Sequence, residues 1–426
     1  MQMKFSRRQF LKTTSATALT APIFLSSSTL MFGQKGPNDL ITMGFIGVGT
    51  QGRGLLHNFL NHPNTQVLAV CDVDTTRREH SRKTVDEFYS IKGNKEYKGC
   101  TAYKDFRELI ARKDIDAVVI AAPDHWHAYI SIASCDAGKD IYCEKPLSLT
   151  IHEAREMVKA ARKNKRVFQT GSMQRSSNEF RKACELVRNG RIGKVKQVIV
   201  DVGPPSKPCD LPEEAMEPGL DWDMWLGAAP KRGYNSILSP RGVHKHFPDW
   251  RNYREYSGGM MTDWGAHHFD IAQWGLGMDD SGPVEIIPPE DPKATRGVRY
   301  LYANGVEMIH GDSGGVLFIG TEGRILVNRG KFEATPSSID QPLDDKAIRL
   351  YKSNDHCKDF LECMRSRNKP ICDVEIGCRS VTVCHLGNLA YWNHRRLKWD
   401  PQTERFVGDD EANKWLDREK RAPWKV

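Results

Sequence analysis

The chain has 426 residues, of which 39% are hydrophobic and 27% charged. That balance excludes a disordered or membrane-embedded protein, and the length exceeds one ordinary core, so two domains are expected. Lys4, Arg7, Arg8 and Lys12 supply four of the formal +8 charges; the basic residues that follow are interleaved with acids, as in "RREHSRKTVDEF", which argues against a nucleic-acid-binding stripe.

In chain order, "SRRQFLK" (Ser6 to Lys12) resembles a twin-arginine export signal at every defined position. The stretch after it is broken by Pro22 and too polar for a stable membrane span, so residues 1–33 read as a signal region and no span is expected in the mature protein. The resemblance implies transport of an already folded protein, often with its cofactor inside, to the periplasm or cell envelope. Such signals are addresses read by a receptor; cleavage or retention stays open.

From 40 to 172 apolar runs alternate with amphipathic stretches. "LITMGFIGVG", "TQVLAVCDVD", "DAVVIAAP", "DIYCEKP" and "RVFQTGS" read as strands. "TRREHSRKTVDEFYS", "KDFRELIAR", "HAYISIASCDAG" and "IHEAREMVKAARKN" read as helices, with another from about Gly52 to Asn61. The alternation predicts a doubly wound parallel sheet, an α/β Rossmann domain. From 173 to 395 the pattern changes. The proline-rich 204–218 must be an irregular loop, and "GVRYLYANGVEMIHG" carries a hairpin turn at Asn304-Gly305. An α+β domain with an open, mainly antiparallel sheet follows, and the helix at 376–392 is expected to fold back. The tail, 396–426, ends in "DREKRAPWKV", read as a solvated end. Eleven cysteines without a C-x-x-C pair do not form a disulfide framework; Cys71, Cys143, Cys184, Cys378 and Cys384 sit among apolar neighbours and read as core.

Gly47-x-Gly49-x-x-Gly52 joins the first strand to the first helix. Its glycines allow a tight turn, close approach of a pyrophosphate and close helix packing, with the phosphates at the helix N-terminus. Asp72, twenty residues after Gly52, is placed to accept both ribose hydroxyls and to repel a 2′-phosphate. NAD is favoured; Arg77 and Arg78 keep NADP open.

"CEKPLS" puts Lys145 at the carboxyl edge of a strand, where open α/β sheets bind ligands. Pro146 keeps that lysine out of helical geometry, and its ammonium would hold a substrate oxygen as it becomes a carbonyl. In "GGMMTDWGAHHFDIAQWGLG", Asp263 and His267 are four apart, so a helix would stack acid and imidazole on one face and the acid would fix the tautomer. Gly258-Gly259 would let the backbone approach a ligand. His268 reads as packed, and Asp270 as a brace for His267 or a solvated acid. Trp222, Trp225, Trp250, Trp264 and Trp274 fall in the segment that should wall the site, with one or two expected to touch a sugar. His244, His246, Arg251 and Tyr253 are candidate hydroxyl binders. With His267, the two histidines at 244 and 246 would offer three zinc ligands, but lacking a visible fourth no metal is expected.

G-x-G-x-x-G with a later Asp, then E-K-P, then D-x-G-x-H-x-x-D resembles the Gfo/Idh/MocA oxidoreductases from about Leu40 to Trp392. The resemblance implies Lys145, Asp263 and His267 as catalytic, with His267 the proton acceptor. It implies cofactor contacts from Gly47, Gly49, Gln51, Gly52, Asp72 and, through "PDHWHAY" and E-K-P, from Pro123, His127, Glu144 and Lys145. Arg175, Trp250, Arg251 and Trp264 join the catalytic trio as expected substrate contacts. The implied protein is an exported oxidoreductase moving a hydride between a sugar, polyol or glycoside hydroxyl and tightly held NAD, assembled as a homodimer or homotetramer. One branch of the family consists of NAD-dependent glycosidases acting through transient C3 oxidation. Their Thr-His-Gly run is replaced here by Asp263-Trp-Gly-Ala-His267, which favours the dehydrogenase branch. A non-catalytic sugar-binding protein is the remaining alternative.

Overall fold

The computed structural model describes residues 40–93 and 97–426; the twin-arginine pattern lies outside them. The first part runs β1 (Ile41–Ile46), α1 (Thr50–Leu60), β2 (Thr65–Cys71), α2 (Thr75–Ile91), β3 (Thr101–Tyr103), α3 (Phe106–Ala111), β4 (Ala117–Ile120), α4 (Asp124–Asp136), β5 (Asp140–Cys143), α5 (Ile151–Lys163) and β6 (Phe168–Thr170). Strands of this sheet bury both faces, so they read as unbroken apolar runs such as "AVVI". Asp74, Asp105 and Thr150 start their helices by accepting a backbone N–H. Strand order is β3-β2-β1-β4-β5-β6, all parallel. Order reverses between β1 and β4, and the crevice at their carboxyl ends is the binding edge of such sheets.

The second part contains α6 (Asn178–Arg188), β7 (Val195–Val200), α7 (Trp222–Leu226), α8 (Met260–Asp263), α9 (Gly265–Leu276), β8 (Glu285–Ile287), β9 (Arg299–Leu301), β10 (Glu307–His310), β11 (Val316–Gly320), β12 (Arg324–Asn328) and β13 (Lys331–Thr335). It closes with α10 (His356–Ser366), α11 (Val374–Asn393), β14 (Leu397–Asp400), β15 (Arg405–Phe406) and α12 (Asp410–Asn413). Nine strands form one sheet in the order β13-β12-β11-β7-β10-β9-β8-β14-β15, antiparallel except for β7 beside β10. Helices α6 and α9 cover one face, where Phe180, Phe269, Phe318 and Tyr300 are fully buried.

Two features, helix α10 and the tail, depart from the expected elements. Helix α10 has no counterpart in the predicted elements, and its apolar face (Phe360, Leu361, Met364) packs into the first sheet's core beside Phe59 and Tyr142. Helix α11 lies along α5, with Val374, Cys378 and Val381 in the core of the first part. The tail is not a solvated end: β14 pairs with β8, Trp424 meets Trp126 edge-on at 4.7 Å, and Arg421 donates to the Gly227 carbonyl. All eleven cysteines are free thiols, ten of them buried. Among the described residues no helix is long and apolar enough to cross a membrane.

Candidate active site

At the end of β1 the chain turns at Gly47, whose φ of +82° strains any side chain; a Cβ there would lie 2.4 Å from the Ala122 nitrogen. A Cβ on Gly52 would lie 2.0 Å from the Gly47 oxygen, whereas one on Gly49 would meet nothing within 4 Å. Gly49 also leaves α1 without a side-chain cap, so the first-turn N–H groups stay available for an anion. Asp72 accepts from Val48 N and Asp74 N, both at 2.9 Å, one on each oxygen, and each oxygen keeps a lone pair for a ribose hydroxyl. Desolvation by the surrounding protein pushes the half-buried Asp72 carboxyl up from its ordinary value. Pro123, the N-cap of α4, lines the same cavity.

A strap from the second part crosses this cavity. Leu238, Ser239, His244, Phe247 and Trp250 line it. Thr50 Oγ1 donates to the His246 carbonyl at 2.7 Å, Arg53 donates to the His244 carbonyl, and Arg77 donates to the carbonyls of Pro240 and Gly242. The rings of His244 and His246 lie against each other within the strap, tilted by 31° with centroids 4.3 Å apart, while His267 stands on α9.

Gln51, Ala121, Ala122, Trp250 and Arg251 are shared by a second cavity, which also contains Lys145, Asp263 and His267. Lys145 Nζ donates to Asp263 Oδ1 at 2.8 Å and to the Asp263 carbonyl at 2.9 Å. Arg251 Nε lies 3.4 Å from the same carboxylate oxygen. Burial would raise the Asp263 carboxyl, but Lys145 and Arg251 more than offset this and hold it below the ordinary value. Gln51 donates to Glu144 at 2.9 Å, tying the glycine turn to the lysine's loop. His127 does the same between β4 and β5, its ring nitrogens 2.8 Å from the Pro146 carbonyl and 2.9 Å from that of Ala122.

Several expected roles are corrected. The helix breaks at Trp264, between α8 and α9, and Asp263 braces Lys145, not His267. His267 Nδ1 is buried without a partner, leaving Nε2 to reach the cavity. Burial, then Lys145 and Arg329, push this imidazole well below its ordinary value. Asp270 is neither a brace for His267 nor solvated: it accepts from Arg175 at 2.7 and 2.8 Å and from Ser380 at 2.6 Å. Arg175, only 1% exposed, is held by Asp270 and Asp279; it is a buried structural cation and not a substrate contact. The close approach at Gly258-Gly259 is to protein: a Cβ on Gly259 (φ +79°) would lie 2.4 Å from Ser206 N. His268 is packed, facing the Asp201 carbonyl at 2.8 Å. Of the five tryptophans, Trp250 and Trp264 line this cavity, Trp250 from within the core cluster it shares with Trp222, Trp225 and Tyr253; Trp225 also lines the nucleotide cavity, and Trp274 is core.

Two cavity residues escaped the sequence reading. Asp124, 2% exposed in the first turn of α4, accepts from Ser257 Oγ at 2.6 Å; its place just past a strand's carboxyl edge was a usable signal. Arg329, at the β12–β13 hairpin tip, stacks on Trp264 with its guanidinium 4.6 Å from the ring centre. The Gln174 amide, oriented by its neighbours, accepts from Arg329 Nε at 3.1 Å and donates to the His267 carbonyl at 3.2 Å. No local pattern announces that this tip reaches the cavity.

Residues 41–172 match the family model described as "oxidoreductase family, NAD-binding Rossmann fold", and residues 206–426 the one described as "oxidoreductase family, C-terminal alpha/beta domain". The chain is 32% identical over 209 residues to a glycosyl hydrolase family 109 protein of Shewanella pealeana, covering 45% of each. It is 31% identical over 153 residues to an inositol 2-dehydrogenase of Salmonella typhimurium, covering 35% of this chain and 42% of that one. It thus spans less than half the length of these curated relatives. The WlbA dehydrogenase of Bordetella pertussis, solved with NADH and UDP-GlcNAcA, shares the fold with a TM-score of 0.60 at 14% identity, over 85% of this chain and 99% of that one. The uncapped first turn of α1, the open side of Gly49 and the Asp72 carboxylate fit the NAD that such a Rossmann domain binds.

Proposed function

The chain belongs to the Gfo/Idh/MocA oxidoreductase family, and from that premise we propose that it is an exported enzyme that oxidises a carbinol of a sugar, polyol or glycoside with firmly held NAD. The observation that carries this reading is the shared wall: the cavity holding Lys145, Asp263 and His267 adjoins the nucleotide cavity through Gln51, Ala122 and Trp250.

Lys145 has three N–H donors, and two are taken by Asp263; the third is free for a substrate oxygen. An ammonium fixed in this way needs no reorganisation as negative charge gathers on that oxygen. His267, neutral at neutral pH, presents Nε2 as a proton acceptor. Trp264 and Trp250 line the cavity in which the C–H faces of a sugar would pack against indole. Nicotinamide bound at the glycine turn would supply the hydride acceptor or donor. Asp72 favours NAD over NADP, since Arg77 is taken by strap carbonyls and Arg78 donates to the Asp72 carbonyl. The strap supports firm retention of the nucleotide, which an exported enzyme needs where free cofactor is scarce. The half-buried apolar residues Ile199, Ile309, Leu317 and Leu326 on the uncovered face of the large sheet support a homodimer or homotetramer.

The likeness to glycosyl hydrolase family 109 proteins supports a second reading, glycoside cleavage through transient oxidation. Incubating the purified protein with sugars, polyols and aryl glycosides while recording bound-nicotinamide absorbance separates the two. A ketosugar with net reduction supports the first, and free sugar without net reduction the second. Protein isolated free of nucleotide that binds NAD only weakly would sink both.

A further inference from the structure

Among the described residues, a group of three metal-ligating side chains converges away from the two cavities: His62, Asp355 and Cys357. His62 lies in the turn between α1 and β2, Asp355 is the N-cap of α10, and Cys357 is that helix's second residue. Each is fixed by contacts that leave its ligand atom unused. His62 donates its backbone N–H to the Phe59 carbonyl at 3.1 Å and accepts from Thr65 Oγ1 at 3.0 Å, and its ring packs against Phe59 with centroids 6.1 Å apart. Asp355 commits Oδ1 to the Lys358 N–H at 3.0 Å, which leaves Oδ2. The Cys357 side chain is buried, the residue only 7% exposed, and among the described residues its thiol has no hydrogen-bond partner. His62 Nε2 stands 3.7 Å from Asp355 Oδ2, too far for a hydrogen bond, and the three ligand atoms lie within 4.8 Å of one another. Tetrahedral ligands of one zinc ion are about 3.3–3.6 Å apart, so closing on an ion takes about 1 Å of side-chain movement.

We propose that His62 Nε2, Asp355 Oδ2 and Cys357 Sγ bind a zinc ion that fastens the start of α10 to the turn after α1. Imidazole and thiolate favour zinc over calcium and magnesium, which take oxygen ligands. One carboxylate with one thiolate cancels the double charge of the ion, so no uncompensated charge is left at the edge of the core. The Asp355 side chain is 49% exposed, which gives the ion an entry path and a water for the fourth position. As the S–Zn bond forms, the thiol proton leaves to solvent, and nothing is oxidised or reduced. Without a cation, burial and the Asp355 and Glu144 carboxyls hold Cys357 as a thiol, pushed up to about 12; zinc supplies the positive charge that this group lacks.

The site is structural. Helix α10 carries Phe360, Leu361 and Met364 into the first sheet's core, and an ion at its first turn pins that packing from one end. None of the three ligands lines the nucleotide cavity or the cavity of Lys145, so the inference stands apart from the oxidoreductase reading.

The experiment uses the untagged full chain, stripped of metal with a chelator, as wild type, His62→Gln, Asp355→Asn and Cys357→Ser. Asparagine still caps a helix, so Asp355→Asn tests the ligand without removing the start of α10. Cobalt(II) chloride added to wild type should produce a thiolate-to-cobalt charge-transfer band with the intense visible bands of a tetrahedral ion. Zinc chloride should abolish both, and calcium or magnesium chloride should not. The charge-transfer band should be absent from Cys357→Ser. Zinc should raise the Tm of wild type with increasing concentration, and should bind each variant at least about tenfold more weakly, the least that losing even a supporting partner of a ligand costs. A charge-transfer band that persists in Cys357→Ser, zinc binding of equal strength in wild type and the other two variants, or a wild type that binds neither ion overturns the proposal. If Cys357→Ser does not fold, the zinc affinities of His62→Gln and Asp355→Asn decide it alone.

Discussion

Lys145 grips Asp263 twice, through the carboxylate at 2.8 Å and through the backbone carbonyl at 2.9 Å. The backbone contact fixes the ammonium's position and the carboxylate balances its charge, so neither residue is replaceable by a longer or shorter partner. Lys145→Met should lower kcat by about 10²- to 10⁴-fold while the protein keeps its nucleotide, because the glycine turn is untouched. Asp263→Asn retains an acceptor for the lysine and should lose less. Turnover and nucleotide content measured on the same preparations check both statements; an active Lys145→Met variant removes the lysine from the chemistry.

Arg175 separates structural from functional cations. Its guanidinium bridges Asp270 and Asp279 out of solvent. Arg175→Met leaves Asp270 charged and buried without its partner, which costs about 3–5 kcal/mol of stability. Urea denaturation should show that loss. A variant of full stability with only a raised KM would return Arg175 to the substrate contacts.

The strap makes retention of the cofactor testable. Thr50→Val removes the hydroxyl that donates to the carbonyls of His244 and His246, and Arg53→Met removes a second donor to His244. Each hydrogen bond is worth about 1 kcal/mol, so the double variant should release nucleotide roughly tenfold faster or more. Dissociation followed by nicotinamide fluorescence reads this directly. An unchanged off-rate would mean that the strap holds protein to protein and nothing else.

Buried histidines set the acid limit of stability. Burial pushes His125 down to about 3 and His127, His310, His356 and His385 down to about 4, against about 6.5 in the unfolded chain. Below 6.5 the unfolded chain therefore binds more protons than the folded one, and stability falls with pH until the folded values near 4 are reached. Thermal melts should show a steep decline from pH 7 toward pH 5, independent of substrate. A flat profile over that range would show that these imidazoles are reached by solvent.

Much of the site is written locally. The glycine turn, Asp72 and the lysine at the edge of β5 follow from strand–helix alternation, because a parallel sheet sends every such edge to the same side. The five tryptophans show the limit of that logic, since composition points to a wall while only packing selects Trp250 and Trp264 from the core aromatics. Spacing alone misled at Asp263 and His267: four residues apart share a helix face only if the helix is continuous, and it breaks at Trp264.

The sequence by itself determined the Rossmann half, the hairpin at Asn304-Gly305 and the chemical types that gather at the site, since each depends on periodicity, turn residues and neighbours within a few positions. Only the tertiary structure decided who partners whom. Asp263 goes to Lys145, Asp270 to Arg175, and α10 and the tail to the first sheet's core, while the strap and the Arg329 tip come from distant segments. Those pairings compensate buried charge and cover apolar surface across long stretches of chain, 95 residues between Arg175 and Asp270 and 118 between Lys145 and Asp263. No local pattern encodes a partner that far away.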